Sequence, residues 1–195
     1  MRILLVISLF LALPVTASSQ PTHKSHESPY AGEESRSIKS LSANDIAELK
    51  RGGGWGLAKA GELNGVPGPA HLLELKDKIP LDNKQVKSIR EIYKTMKNKA
   101  ITEGKRLIAF EKKLDSQFRT RTIDDKTLRQ ILSDIAESRR KLRYIHLSTH
   151  LKTPNLLTEV QIARYNTLRG YGNNLCENVP TGHDAAKWRR HNNCN

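Results

Sequence analysis

Residues 83–118 read NKQVKSIREIYKTMKNKAITEGKRLIAFEKKLDSQF, and this stretch decides the fold. Apolar side chains fall at Val86, Ile89, Tyr93, Met96, Ala100, Leu107, Phe110 and Leu114. The steps run mostly in threes and fours, so the residues form one stripe of an α-helix that faces a partner helix. One seam position, Glu103, is a carboxylate. Such a helix is about 54 Å long at ~1.5 Å per residue. In a small domain it has few internal neighbours, so it pairs with a second chain or folds into an extended hairpin.

Downstream, a second long helix is expected from about Asp125 to Thr153. Leu128, Ile131, Ile135, Leu142 and Ile145 lie on one face, and Pro154 stops the helix. Upstream, Gly52-Gly53-Gly54 and Asn64-Gly65-Val66-Pro67-Gly68-Pro69 break the chain into short helical pieces over about 43–51 and 55–63. Pro69 marks a further helix start, with helix expected over 71–78. A last helix begins at Thr158 and ends at Gly170. Residues 172–195 read as irregular, with one turn near 183–190. No stretch alternates apolar and polar residues as a strand does. The fold class is all-α: a long helical hairpin with shorter flanking helices.

The N-terminus has the three parts of a cleavable export signal. Arg2 supplies a charge, residues 3–13 are almost wholly apolar, and Val15-Thr16-Ala17 sets a cut after Ala17. The apolar run is shorter than the roughly 20 residues a spanning helix needs. Residues 18–40 are polar and read as a flexible leader, residues 41–171 as the helical domain and residues 172–195 as a tail. The expected product is soluble, outside the cytoplasm and not stably inserted in a membrane.

Export redirects the reading of the charge. The chain has 33 Lys+Arg against 20 Asp+Glu, and loss of Arg2 leaves a net +12. In an exported protein such a surface meets head groups, polyanionic glycans or acidic protein patches, not nucleic acid. Residues 82–152 alone hold 19 Lys+Arg and 9 Asp+Glu, so most of the charge lies on the hairpin. The dense clusters are Lys94, Lys97 and Lys99; Lys105 and Arg106; Lys112 and Lys113; and Arg139, Arg140, Lys141 and Arg143. A solvated helix face accounts for them, as does a surface that captures acidic, partly unfolded chains.

The two cysteines, Cys176 and Cys194, would form one disulfide in an oxidising compartment. With His183 and His191 they form a set that could also hold zinc, although the spacing fits no standard finger.

Two helix starts are alike. Leu81-Asp82-Asn83-Lys84-Gln85-Val86 and Leu157-Thr158-Glu159-Val160-Gln161-Ile162 each carry a cap residue with Gln three places on. This is a capping box, whose cap contributes about 1 kcal/mol. Leu41-Ser42-Ala43-Asn44-Asp45-Ile46 is a looser third copy. The form Leu-Thr-x-x-Gln, after a long hairpin and behind an export signal, resembles the periplasmic Spy/CpxP group. The layout is also similar to the CnrX-type heavy-metal sensors. The resemblance covers about residues 69–171, and Asp82 stands where Thr is typical. It implies a periplasmic four-helix hairpin that forms an antiparallel homodimer. It also implies one of three roles: ATP-independent chaperone, regulator of an envelope sensor protein, or metal-binding sensor.

His146 and His150 stand i and i+4 on the second long helix, a spacing that can put two imidazoles on one metal. Boundary histidines near a helix C-terminus, favoured by its dipole, account for the pair equally simply. In the CnrX-type sensors a further ligand comes from the helix before the hairpin, and His71 matches that region. The Glu those sensors carry on the first long helix has no match, since Tyr93 stands there; Glu74, one turn from His71, is the candidate substitute. Zinc, nickel, cobalt and copper all suit imidazole ligands. The expected chaperone role itself requires no cofactor. The sequence has no G-x-S-x-G, Walker loop or H-E-x-x-H motif, and the expected protein is not an enzyme.

Overall fold

The structure is a computed structural model that describes residues 28–171, 179, 182 and 184–191. Residues 1–17, read as an export signal, part of the stretch read as a leader, Cys176, His183 and Cys194 lie outside the described residues. The described residues are mostly helical, with no strand and one isolated bridge between Ile38 and Leu41. The helices are α1 (Ala43–Arg51), α2 (Lys59–Glu62), α3 (Pro69–Glu74), α4 (Asn83–Arg119), α5 (Asp125–His150), α6 (Glu159–Arg169) and α7 (Ala185–His191). Among the described residues no helix is long and apolar enough to cross a membrane.

Helices α4 and α5 form an antiparallel pair. The Ser138 hydroxyl donates to Glu103 at 2.7 Å and Arg139 to Glu111 at 2.8 Å, and the Thr149 hydroxyl, which donates to the His146 carbonyl, lies 3.7 Å from Met96 Sδ. Glu103, the carboxylate in the seam, is thus bonded across the pair. Glu111 is only 4 % exposed and is held by Arg139 and by the Ser40 hydroxyl at 2.7 Å. The Arg139 guanidinium also lies 5.3 Å from the Trp55 ring centroid.

Two apolar clusters hold the fold. Leu107 on α4 packs with Ile131, Ile135 and Leu142 on α5, and with Ile38, Leu41 and Leu49. Ile89 near the start of α4 packs with Leu72, Ile79 and Tyr165. Helix α1 approaches α4 closely at Gly104, where a Cβ would strike the Leu49 carbonyl.

Four boundaries differ from the sequence reading. Ile38, placed in the leader, is 4 % exposed in the first cluster, so packing begins inside that stretch. The helix expected over 55–63 shrinks to α2, because Trp55 and Gly56 both adopt positive φ. Helix α3 ends at Glu74 and turns follow up to Pro80, which disfavours helix at the residue before it. Helix α5 stops at His150, three residues short of Thr153.

Candidate functional site

Between the two clusters the α4–α5 seam changes character. Met96 on α4 and His146, Thr149 and His150 on α5 are all buried there. A cavity of about 350 Å³ opens beside them, roofed by the Gly52–Gly54 loop and the Gly68–His71 segment. His71, His146 and His150 all line it, together with Glu62, Tyr93 and Met96. The fold therefore brings the three histidines singled out from the sequence to one cavity, and Tyr93 and Met96 with them.

The three rings have different surroundings. His150 Nδ1 lies 2.8 Å from the Val66 carbonyl. A carbonyl only accepts, so Nδ1 carries a proton, and in the tautomer this selects the lone pair sits on Nε2. Gly61 and Gly68 press against this ring, and a Cβ at Gly68 would lie 2.8 Å from Nε2. His146 is 4 % exposed, and its Nε2 is buried without a hydrogen-bond partner among the described residues. Burial pushes its pKa below the ordinary histidine value and His150 adds to the shift, so the ring is neutral at pH 7.

His71 is held differently. Its Nδ1 lies 3.1 Å from Glu74 and its Nε2 3.3 Å from Glu62. Arg169 and the Tyr171 hydroxyl also bond Glu62. Burial alone would raise the Glu62 pKa, but these hydrogen bonds and the nearby His71 outweigh it and hold the carboxyl below its usual range. Glu74 is exposed and bonded to His71. Both ring nitrogens of His71 thus face carboxylates, and the Arg169 guanidinium also lies 3.3 Å from Nε2. Among the described residues no three His, Cys, Asp or Glu side chains form a metal-binding group.

The two Leu-x-x-x-Gln starts also meet in space. In each box the cap side chain accepts the Gln backbone N–H, and the Gln Oε1 accepts the cap N–H at 2.9 Å. Gln85 Nε2 then donates to Gln161 Oε1 at 2.9 Å, and Gln161 Nε2 to Gln85 Oε1 at 3.0 Å. The remaining amide hydrogens reach the carbonyls of Leu156 and Pro80, each at 2.7 Å. Only an amide both accepts and donates in this way. Leu81 and Leu157 pack against the second cluster beside this clasp. Sequence spacing marks each box but carries no signal of their pairing.

Of the basic residues singled out, Lys94, Lys105, Arg106, Lys112, Lys113, Arg139, Arg140 and Arg143 are exposed, and Lys97 and Lys141 are half-buried. Several also have local partners: Arg140 and Lys141 bond Glu137, Lys97 lies over Tyr93, and Arg106 over Phe110. A groove of about 260 Å³ runs along α4 and α5, lined by Ile92, Met96, Tyr144 and Ile145, with Glu91, Lys99 and Lys152 among its polar residues. Tyr144 is 67 % exposed beside it.

No protein-family model matches the chain, and neither a curated protein nor a solved structure matches it significantly.

Proposed function

We propose that the chain is an exported, periplasmic, non-enzymatic binder of unfolded or misfolded proteins that works without ATP, in the manner of the Spy/CpxP group. The observation that carries this reading is the α4–α5 groove, with an apolar floor of Ile92, Tyr144 and Ile145 and the cations Lys99 and Lys152. It lies on a basic hairpin whose Lys94, Lys105, Lys112, Lys113 and Arg143 are exposed. Long-range charge raises the encounter rate with acidic chains, and apolar contact sets how long they stay. Two copies pair antiparallel in this reading and extend the surface. The test is aggregation of a reduced model client in the presence of the purified protein. Suppression at substoichiometric amounts, weakened by salt, is expected; no suppression at equimolar dimer overturns the proposal.

A second reading, a metal-binding sensor or resistance protein, is favoured by one observation: His71, His146 and His150 line a single cavity although α3 and α5 are far apart in sequence. It predicts binding of a divalent transition metal at micromolar or tighter affinity, lost in His146→Ala/His150→Ala. Equal binding by that double variant overturns it.

A further inference from the structure

Resting on the metal-binding reading, we infer that the cavity selects cuprous copper, held by His146, His150 and Met96, with His71 outside the ligand set. The donors themselves carry the argument. His146 Nε2 is buried with no partner among the described residues, and such an orphan requires an explanation. His150 donates its Nδ1 proton to the Val66 carbonyl, the outer bond that orients a metal-binding imidazole and frees Nε2. Gly68 lines the same cavity and packs its backbone against this ring, where a Cβ would lie 2.8 Å from Nε2 and crowd it. Met96, buried on the opposing helix, adds a thioether to the same cavity.

His71 is excluded by its partners, since both ring nitrogens face carboxylate oxygens. Glu62 is itself tied to Arg169 and the Tyr171 hydroxyl. The available donors are then two imidazoles and a thioether, ligands that bring no charge to a metal, with no carboxylate among them. A thioether is a soft ligand that favours Cu(I) over the harder divalent ions. Charge points the same way. The cost of burying an ion rises roughly as the square of its charge, so a divalent ion meets about four times the desolvation of a monovalent one, and Glu62, the carboxylate in the cavity lining, is already paired with Arg169.

The test is anaerobic titration of the full chain with Cu(I) against a chromogenic cuprous chelator, with parallel competition titrations of Zn(II), Ni(II) and Co(II). All are repeated in a Cys176→Ser/Cys194→Ser background to remove thiolate binding. One Cu(I) per chain is expected, bound more tightly than any of the divalent ions. Loss of an outer partner of a metal ligand alone costs about 10–100-fold, so Met96→Leu, a volume-conserving change, should weaken Cu(I) by about 10-fold or more. It should leave the divalent ions unaffected. His146→Gln should weaken Cu(I) similarly, and His71→Gln should not. X-ray absorption of the copper-loaded protein should show one sulfur and two nitrogen scatterers, a readout independent of variant folding. If Zn(II) or Ni(II) binds through the histidines and Met96→Leu leaves Cu(I) unchanged, the copper inference fails and the metal reading stands. If no metal binds in the cysteine-free background, both fail.

Discussion

At the scale of single residues, the Gln85–Gln161 pair carries the most information. Each amide uses both of its acceptor directions and both of its donor hydrogens, and Gln161 is only 7 % exposed. A carboxylate is nearly isosteric but cannot donate. Gln161→Glu therefore faces its new oxygen toward the Pro80 carbonyl and Gln85 Oε1. A loss of about 1–3 kcal/mol is expected in urea unfolding, the cost of a buried polar group left unsatisfied. A double-mutant cycle of Gln85→Ala and Gln161→Ala should show coupling of about 0.5 kcal/mol or more, whereas additivity would mean that the two boxes act separately. The boxes themselves are legible in the sequence, because a cap and a Gln three residues on form a local pattern. Their pairing is not, because it depends on where the α3–α4 turn meets the α5–α6 turn. Met96 is a similar case. It reads as one more seam residue, and only its place opposite Thr149 shows that it borders a cavity. Conversely, His71 reads as a free ligand until Glu62, on another element, is found beside it.

At the scale of elements, the long helices were legible because capping boxes and a 3.6-residue stripe act together. Asp82 caps α4, and the helix runs to Arg119, one residue past the expected end. The short pieces were less so, since few residues define them and turn geometry decides their limits. How α1 meets α4 had no sequence signal beyond a lone glycine. Gly104→Ala should raise intrinsic helix propensity by about 1 kcal/mol. It should nonetheless destabilise the protein by about 1–3 kcal/mol, because the added Cβ strikes the Leu49 carbonyl. A stabilising result would show that α1 can shift away. The N-terminus of α1 gives a pH test. Asp45 accepts from the Ser42 hydroxyl at 2.6 Å and from the Trp55 indole at 2.8 Å, and these bonds hold its carboxyl below the usual value of 3.8. The stabilisation is complete above that value and is lost as pH falls through the lower folded one. The melting temperature of the native protein should thus drop more steeply below about pH 4 than that of Asp45→Asn. Parallel curves would show that the charge contributes nothing.

At the scale of the whole molecule, two apolar clusters leave a polar interval between them on the α4–α5 seam, and the buried His pair occupies it. Leu142→Ala, at a 1 % exposed position of the first cluster, should cost about 2–5 kcal/mol in equilibrium unfolding. The outer surface of the same pair is basic and grooved, and it supports the proposed client binding. The most direct test of that central claim is the association of a labelled, permanently unfolded acidic client with the purified protein, followed by fluorescence anisotropy at low and high salt. The account predicts saturable binding at roughly 50 mM salt that weakens several-fold by roughly 500 mM, where charges on either side are screened beyond about 4–5 Å. It also predicts that Tyr144→Ala speeds dissociation with little effect on the association rate. No binding at either salt, at concentrations where the protein is in excess, would contradict it.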